Sequence, residues 1–124
     1  MISNVIYIAQ PYGNELREIN QSDRRRLGKV AVINNKNIKF GKAKDINKRA
    51  NNYKKDVGHI NLTVIVSDED YSFIEELEKR ILRQVDEYRI VGPSGRKLEW
   101  LKNISFKELE KIIKQEHDDL KRII

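Results

Sequence analysis

Arg49 and Glu78 stand where an amphipathic helix would place something apolar. Over 45–55, Ile46, Ala50 and Tyr53 recur at the i, i+4, i+7 spacing of one helix face, and Arg49 lies on their side. Over 72–89, Ile74, Leu77, Ile81, Val85 and Tyr88 make an apolar stripe, and Glu78 is the one acid on it. Burying a charge is costly unless it is paired. Two readings follow. Either the two residues form a structural ion pair, or Arg49 runs its stem along the helix to water; or both line a cleft on one side of a sheet. In such a cleft Arg49 would face a phosphate and Glu78 would hold a metal ion. That combination suits phosphodiester cleavage, which needs positive charge on the nonbridging oxygens, a metal or acid at the leaving oxygen, and a group that orients and deprotonates water. Magnesium keeps most of its waters and binds through one or two carboxylates, so one glutamate suffices. With no cysteine, and only His59 and His117 as histidines, the chain excludes disulfides and thiolate chemistry and argues against zinc.

Charge distribution points to a polyanionic partner. Residues 1–60 hold 13 Lys/Arg against 5 Asp/Glu, whereas residues 61–124 hold 12 against 14. A basic half favours nucleic acid, with Lys42, Lys44 and Lys48 as sequence-independent phosphate contacts. The run Arg24-Arg25-Arg26 could also hold phosphates, although a solvated charge run is the simpler reading. The absence of cysteine, of an apolar run of membrane-spanning length and of a basic leader at the N-terminus leads to the expectation of a cytoplasmic protein without a membrane partner.

The elements that must position these residues read as one α+β domain, 1–124, with a small, mostly antiparallel sheet flanked by helices. "NVIYIA" (4–9) is an N-terminal strand, and 10–29 reads as a long loop. "KVAVI" (29–33) and "IKFGKA" (38–43) are expected to pair as a hairpin across "NNKN". Asp45 caps a helix running to about Lys55. "NLTVIVS" (61–67) is a strand, placed centrally because Val64, Ile65 and Val66 are consecutive. Ser72 with Glu75, and Ser105 with Glu108, have capping-box spacing and open the helices 72–89 and 105–124. "VGPSGRKLEWL" (91–101) is a turn followed by a short extended or 3₁₀ piece.

In order and spacing these pieces resemble the GIY-YIG nuclease superfamily, especially its short phage-type branch, over about Gly28 to Leu101. "KVAVINN" lies where the family has G-I-Y-x-I-x-N, and Lys39-Phe40-Gly41 lies at Y/K-I-G. "GKAKDINKR" resembles G-x-T-x-D-x-x-x-R, Arg49 and Tyr53 match R-x-x-x-H/Y, Glu78 in "LEKRIL" matches L-E-x-x-L, and "SGRKLEWL" is similar to G-R-x-E-W-F. Ala31 replaces the tyrosine of the first motif, Lys39 the first tyrosine of the second, and Ala43 the usual threonine. "VIYIA" also resembles an I-Y-x-I strand, with 10–28 inserted after it.

The resemblance implies a DNA endonuclease dependent on Mg²⁺ or Mn²⁺. Arg49 would stabilise the transition-state charge, Glu78 would bind the metal, Tyr53 or Tyr7 would handle the water, and Lys39 is a candidate phosphate contact. Gly41 is expected to leave room for a DNA backbone, and Glu99 and Trp100 to close the core beneath the site. Two alternatives stand beside it. One is a catalytically inactive nucleic-acid-binding domain of the same fold. The other is a protein-interaction domain using the amphipathic 105–124 helix.

Overall fold

A computed structural model describes residues 4–19 and 26–123. At its centre is strand β1 (Asn4–Pro11). Its apolar run serves both faces: Val5, Tyr7 and Ala9 project one way, Ile6 and Ile8 the other, and all five are buried. A strand apolar on both sides belongs in the middle of a sheet. β1 accordingly pairs antiparallel with β4 (Lys39–Ala43) and with β5 (Ile60–Asp68), in the order β4-β1-β5.

This pairing corrects the expected hairpin. β3 (Ala31–Ile33) does not pair with β4; it pairs with β2 (Arg17–Ile19), a strand inside the segment read as a loop. Only Ile33 of β3 is fully buried, whereas β1 offers five buried side chains, so β1 is the better partner for β4. The β2-β3 ribbon docks through Ile19 and Ile33 and through Arg17, whose Nη1 donates to the carbonyl oxygen of Val57 at 3.3 Å. Arg24 and Arg25 lie outside the described residues; Arg26 is exposed.

β5 is an edge strand, not the central one. Its consecutive valine and isoleucine have a different cause. The register against β1 slips between Ile6, opposite Val66, and Tyr7, opposite Val64. This bulge puts Ile65 and Val66 together on one face and Val64 on the other.

Helix α1 (Ile46–Asp56) starts at Asp45, whose carboxylate accepts from the backbone N–H of Lys48 at 3.1 Å. Helix α2 (Tyr71–Val85) starts one residue earlier than expected. Asp70, rather than Ser72, caps it by accepting from the N–H of Ser72 at 2.9 Å. It ends at Val85 in a 3₁₀ turn over Asp86–Tyr88. β6 (Arg89–Val91) and β7 (Lys97–Leu101) then form a hairpin, joined to the start of β4 by the Ile38–Leu101 backbone pair. Helix α3 (Phe106–Ile123) opens with the expected capping box: Ser105 Oγ accepts from the N–H of Glu108, and the Glu108 carboxylate accepts from the N–H of Ser105.

α2 and α3 cover one face of the sheet. Ile74, Leu77 and Ile81 of α2 meet Leu109, Ile113 and Leu120 of α3 over Ile6, Ile8 and Phe40. Most of the apolar face of α3 is therefore packed inside the fold, while Ile123 at its end is exposed. α1, β2-β3 and β6-β7 cover the other face, around Tyr7, Leu98 and Trp100. Among the described residues no helix is long and apolar enough to cross a membrane.

Candidate functional site

The site begins with one strand pair. Tyr7 of β1 stands opposite Gly41 of β4, and its ring lies over that glycine. A Cβ at position 41 would come 2.5 Å from the Tyr7 Oη. Gly41 thus makes room for the protein's own tyrosine, which corrects the expectation that it clears space for DNA. The buried Tyr7 hydroxyl meets that of Tyr53 at 2.8 Å, with the rings edge to face at 79°. Tyr53 belongs to the third turn of α1, and its spacing from Ile46 turns both onto the sheet. Tyr53 lines an open groove on the α1 face, with Tyr7 behind it.

Burial pushes both phenols up. Tyr7 lies well above the ordinary phenol range, with Tyr53 adding to the shift while Lys39 and Arg49 oppose it. Tyr53 is raised to about 12, chiefly by burial. Both are therefore protonated near neutral pH. One O–H is used between the two oxygens, which leaves the other available to a ligand. In this state the pair orients; it is not a standing phenolate base.

Lys39, two residues before Gly41, projects to the same face of the sheet. Its ammonium sits 5.2 Å from the Tyr53 ring centroid and 5.7 Å from that of Trp100, and bonds the Glu99 carboxylate at 2.7 Å. Lys39 holds the Glu99 carboxyl below its ordinary value. Trp100 closes the core as expected, but Glu99 does not: it is exposed and holds the lysine beside the tyrosines. The signal available in sequence was alternation along β7, which turns Leu98 and Trp100 inward and Glu99 away from them.

Arg49 is exposed, and α1 has no fully buried residue. The helix is a thin cover and not a core element, so its arginine is not driven inward. The Arg49 Nη2 donates to the backbone carbonyl of Lys42 at 3.4 Å, on the open edge of β4, and its charge lowers the pKa of both tyrosines.

Glu78 is half-buried on α2. Its carboxylate meets the Lys42 ammonium at 3.1 Å, and Glu75 lies 3.8 Å from the same nitrogen. Glu78 raises the pKa of Lys42 mainly through this hydrogen bond. Alternation along β4 puts Lys42 on the α2 face and Lys39 on the α1 face. Two expectations are therefore corrected. Arg49 and Glu78 do not pair with each other, and they do not line one side of the sheet. They flank edge strand β4 from opposite faces, with Lys42 between them.

Of the other two lysines, Lys48 is exposed and Lys44 lies 4.3 Å over the ring of Tyr71. Both line a second depression, with Lys42, Arg49, Asn52 and Tyr71. Tyr71 escaped the sequence reading because only the fold brings the start of α2 to the start of α1.

Among the described residues no group of three or more His, Asp or Glu side chains could enclose a metal ion. Glu78 and Glu75 are two oxygen-donor carboxylates side by side, the ligand type a hard cation takes, and here both face the Lys42 ammonium. No protein-family model matches the chain, and no curated protein or solved structure matches it.

Proposed function

We propose that this domain is a GIY-YIG-type endonuclease that cleaves DNA with the help of Mg²⁺ or Mn²⁺. The observation that carries the reading is the Tyr7–Tyr53 hydroxyl pair, set over Gly41 and flanked by Lys39 and Arg49. Strand pairing supports a changed alignment of the motifs. "VIYIA", not "KVAVI", lies beside Lys39-Phe40-Gly41. This restores a tyrosine to the first motif and makes the β2-β3 ribbon, rather than 10–28 alone, the insertion between the two motifs.

In this reading Arg49 and Lys39 contact nonbridging phosphate oxygens, where charge develops in the transition state. Tyr53, held by Tyr7, orients the attacking water. Glu78, across the edge of β4 from Arg49, would hold the metal, which when bound would neutralise charge on a phosphate oxygen lying over that edge. Lys42 must then leave Glu78, and the incoming phosphate offers its ammonium a new anion. A second reading, nucleic-acid binding without cleavage, is favoured by this same Lys42–Glu78 bond, because the resting carboxylate is already satisfied.

Supercoiled plasmid incubated with Mg²⁺ or Mn²⁺, and with chelator, separates the two. Metal-dependent nicking, lost in Glu78→Gln with the fold intact, is the expected result. Gln keeps the shape but lacks the charge a hard cation requires. Salt-sensitive binding with no nicking would favour the second reading. Nicking by Glu78→Gln at the wild-type rate would remove Glu78 from the mechanism.

A further inference from the structure

Strand β7 brings Glu99 and Trp100 to Lys39 beside the tyrosine pair, and the turn of the β6-β7 hairpin carries a further groove beyond it. The depression lined by Arg49, Asn52 and Tyr53 also contains Lys39. Lys39 in turn lines a third depression, with Arg96, Lys97 and Glu99 of the hairpin. On the other side, Arg49 and Asn52 are shared with the depression containing Lys44 and Lys48. Shared lining residues thus link three depressions in a row, from the start of α1, past Tyr53, to the β6-β7 hairpin.

The hairpin is built to hold its tip still. Arg89 Nε donates to the carbonyl of Leu98 at 2.8 Å, its Nη2 donates to that of Lys97 at 3.2 Å, and its Nη1 meets Asp86 at 3.4 Å. The turn closes with the Gly92 N–H donating to the Arg96 carbonyl at 2.8 Å, with Gly95 at φ +83°, a conformation glycine adopts without strain. Of the basic residues at this end, Arg89 is used in the clamp, Lys97 pairs with Asp86, and Lys39 pairs with Glu99. Arg96 is exposed, and its guanidinium has no carboxylate or hydrogen-bond partner among the described residues. A guanidinium left unneutralised at a braced turn, at the end of a groove lined by lysines, suits a backbone phosphate.

We propose that the β6-β7 hairpin is a second nucleic-acid-binding arm, in which Arg96 contacts the phosphate backbone of duplex DNA beyond the tyrosine pair. The proposal rests on the nucleic-acid reading above and extends it to a residue that plays no part in the chemistry.

The test is the salt dependence of binding to a fluorescent DNA duplex, measured by anisotropy in chelator so that no metal-dependent cleavage intervenes. Each phosphate contact contributes about 0.9 to the slope of log K against log salt. Arg96→Ala is expected to reduce the slope by about 0.9 and to weaken binding about 5-fold at about 0.15 M salt. Lys111→Ala, an exposed change on α3, which covers the opposite face of the sheet, is expected to alter neither. If the wild-type chain does not bind the duplex, the nucleic-acid reading fails and the arm with it. If the wild type binds and Arg96→Ala keeps its slope, the arm alone is overturned. An equal loss in Lys111→Ala would mean that total charge, not the hairpin, governs binding, and would also overturn it.

Discussion

The two faces of the β4-β1-β5 sheet share every strand and differ in what covers them. Over Ile6 and Ile8 lie α2 and α3, which bury five and four residues respectively. Over Tyr7 lies α1, which buries none and carries Lys48, Arg49, Lys54 and Lys55. The first face is apolar apart from its margins, where Arg80 meets the buried Glu116 at 3.3 Å. The second has a hydroxyl pair in its interior and an ammonium boxed between two rings and a carboxylate. Apolar packing and polar grouping are thus largely divided between the faces, with the Lys42–Glu78 pair at the β4 edge of the first. A densely packed side can carry the free energy of folding, which leaves the other free to keep polar groups half-exposed beside a groove.

The largest effect that this division predicts is on the packed face. Leu77 is fully buried between the sheet and α3. Leu77→Ala should cost about 2–5 kcal/mol of stability in denaturant unfolding. A loss below about 1 kcal/mol would mean that the α2-α3 face is not the principal core.

Arg49→Lys makes the opposite kind of test. The residue is exposed and its side chain's one hydrogen bond is to a backbone carbonyl, so unfolding should be nearly unchanged. The proposed cleavage should fall about 100-fold or more, equivalent to about 2.7 kcal/mol, because lysine lacks the planar fork that grips two phosphate oxygens. Plasmid-nicking rates and a melting curve on the same sample decide it. A large fall in melting temperature with nicking per folded molecule unchanged would make Arg49 a strut.

The tyrosine pair gives the smallest expected change and sharpens the comparison most. Tyr53→Phe leaves the buried Tyr7 hydroxyl without its partner and should cost about 1–3 kcal/mol, whereas replacing both by Phe should recover part of that loss. Additive losses in the double mutant would mean that the two hydroxyls are not coupled. The same pair sets a pH dependence. Its folded-state pKa values lie above the ordinary phenol value of 10, so its contribution is fully present below pH 10 and declines as pH rises above it. Ultraviolet titration should place ionisation of Tyr53 near 12; phenolate formation by Tyr53 near 10 would mean that its hydroxyl is solvated.

The helices were legible in the sequence because their signals are local. The Asp45 cap, the Ser105–Glu108 box and the stripe from Ile74 to Val85 all operate within a few residues. Tyr53 could be placed on the inner side of α1 by its spacing from Ile46. Strand partnership could not be read in the same way. "KVAVI" and "VIYIA" are both β-branched runs that could precede "IKFGKA", and proximity favoured the wrong one. The choice depended on which strand had apolar side chains for both faces, and hence on helices and ribbons far away in the chain.

What the sequence determined by itself was the set of charges and hydroxyls, the helical phases that carry them and the glycine at position 41. Tertiary structure decided which of these meet. It put Tyr7 rather than Ala31 beside Gly41, gave Glu78 to Lys42 rather than to Arg49, and brought Glu99 to Lys39 from 60 residues away. The physical reason is one of range. Backbone capping and helical period act between neighbours, while the pairing of a buried hydroxyl or an ion is settled by which strands and helices the burial of apolar surface brings together.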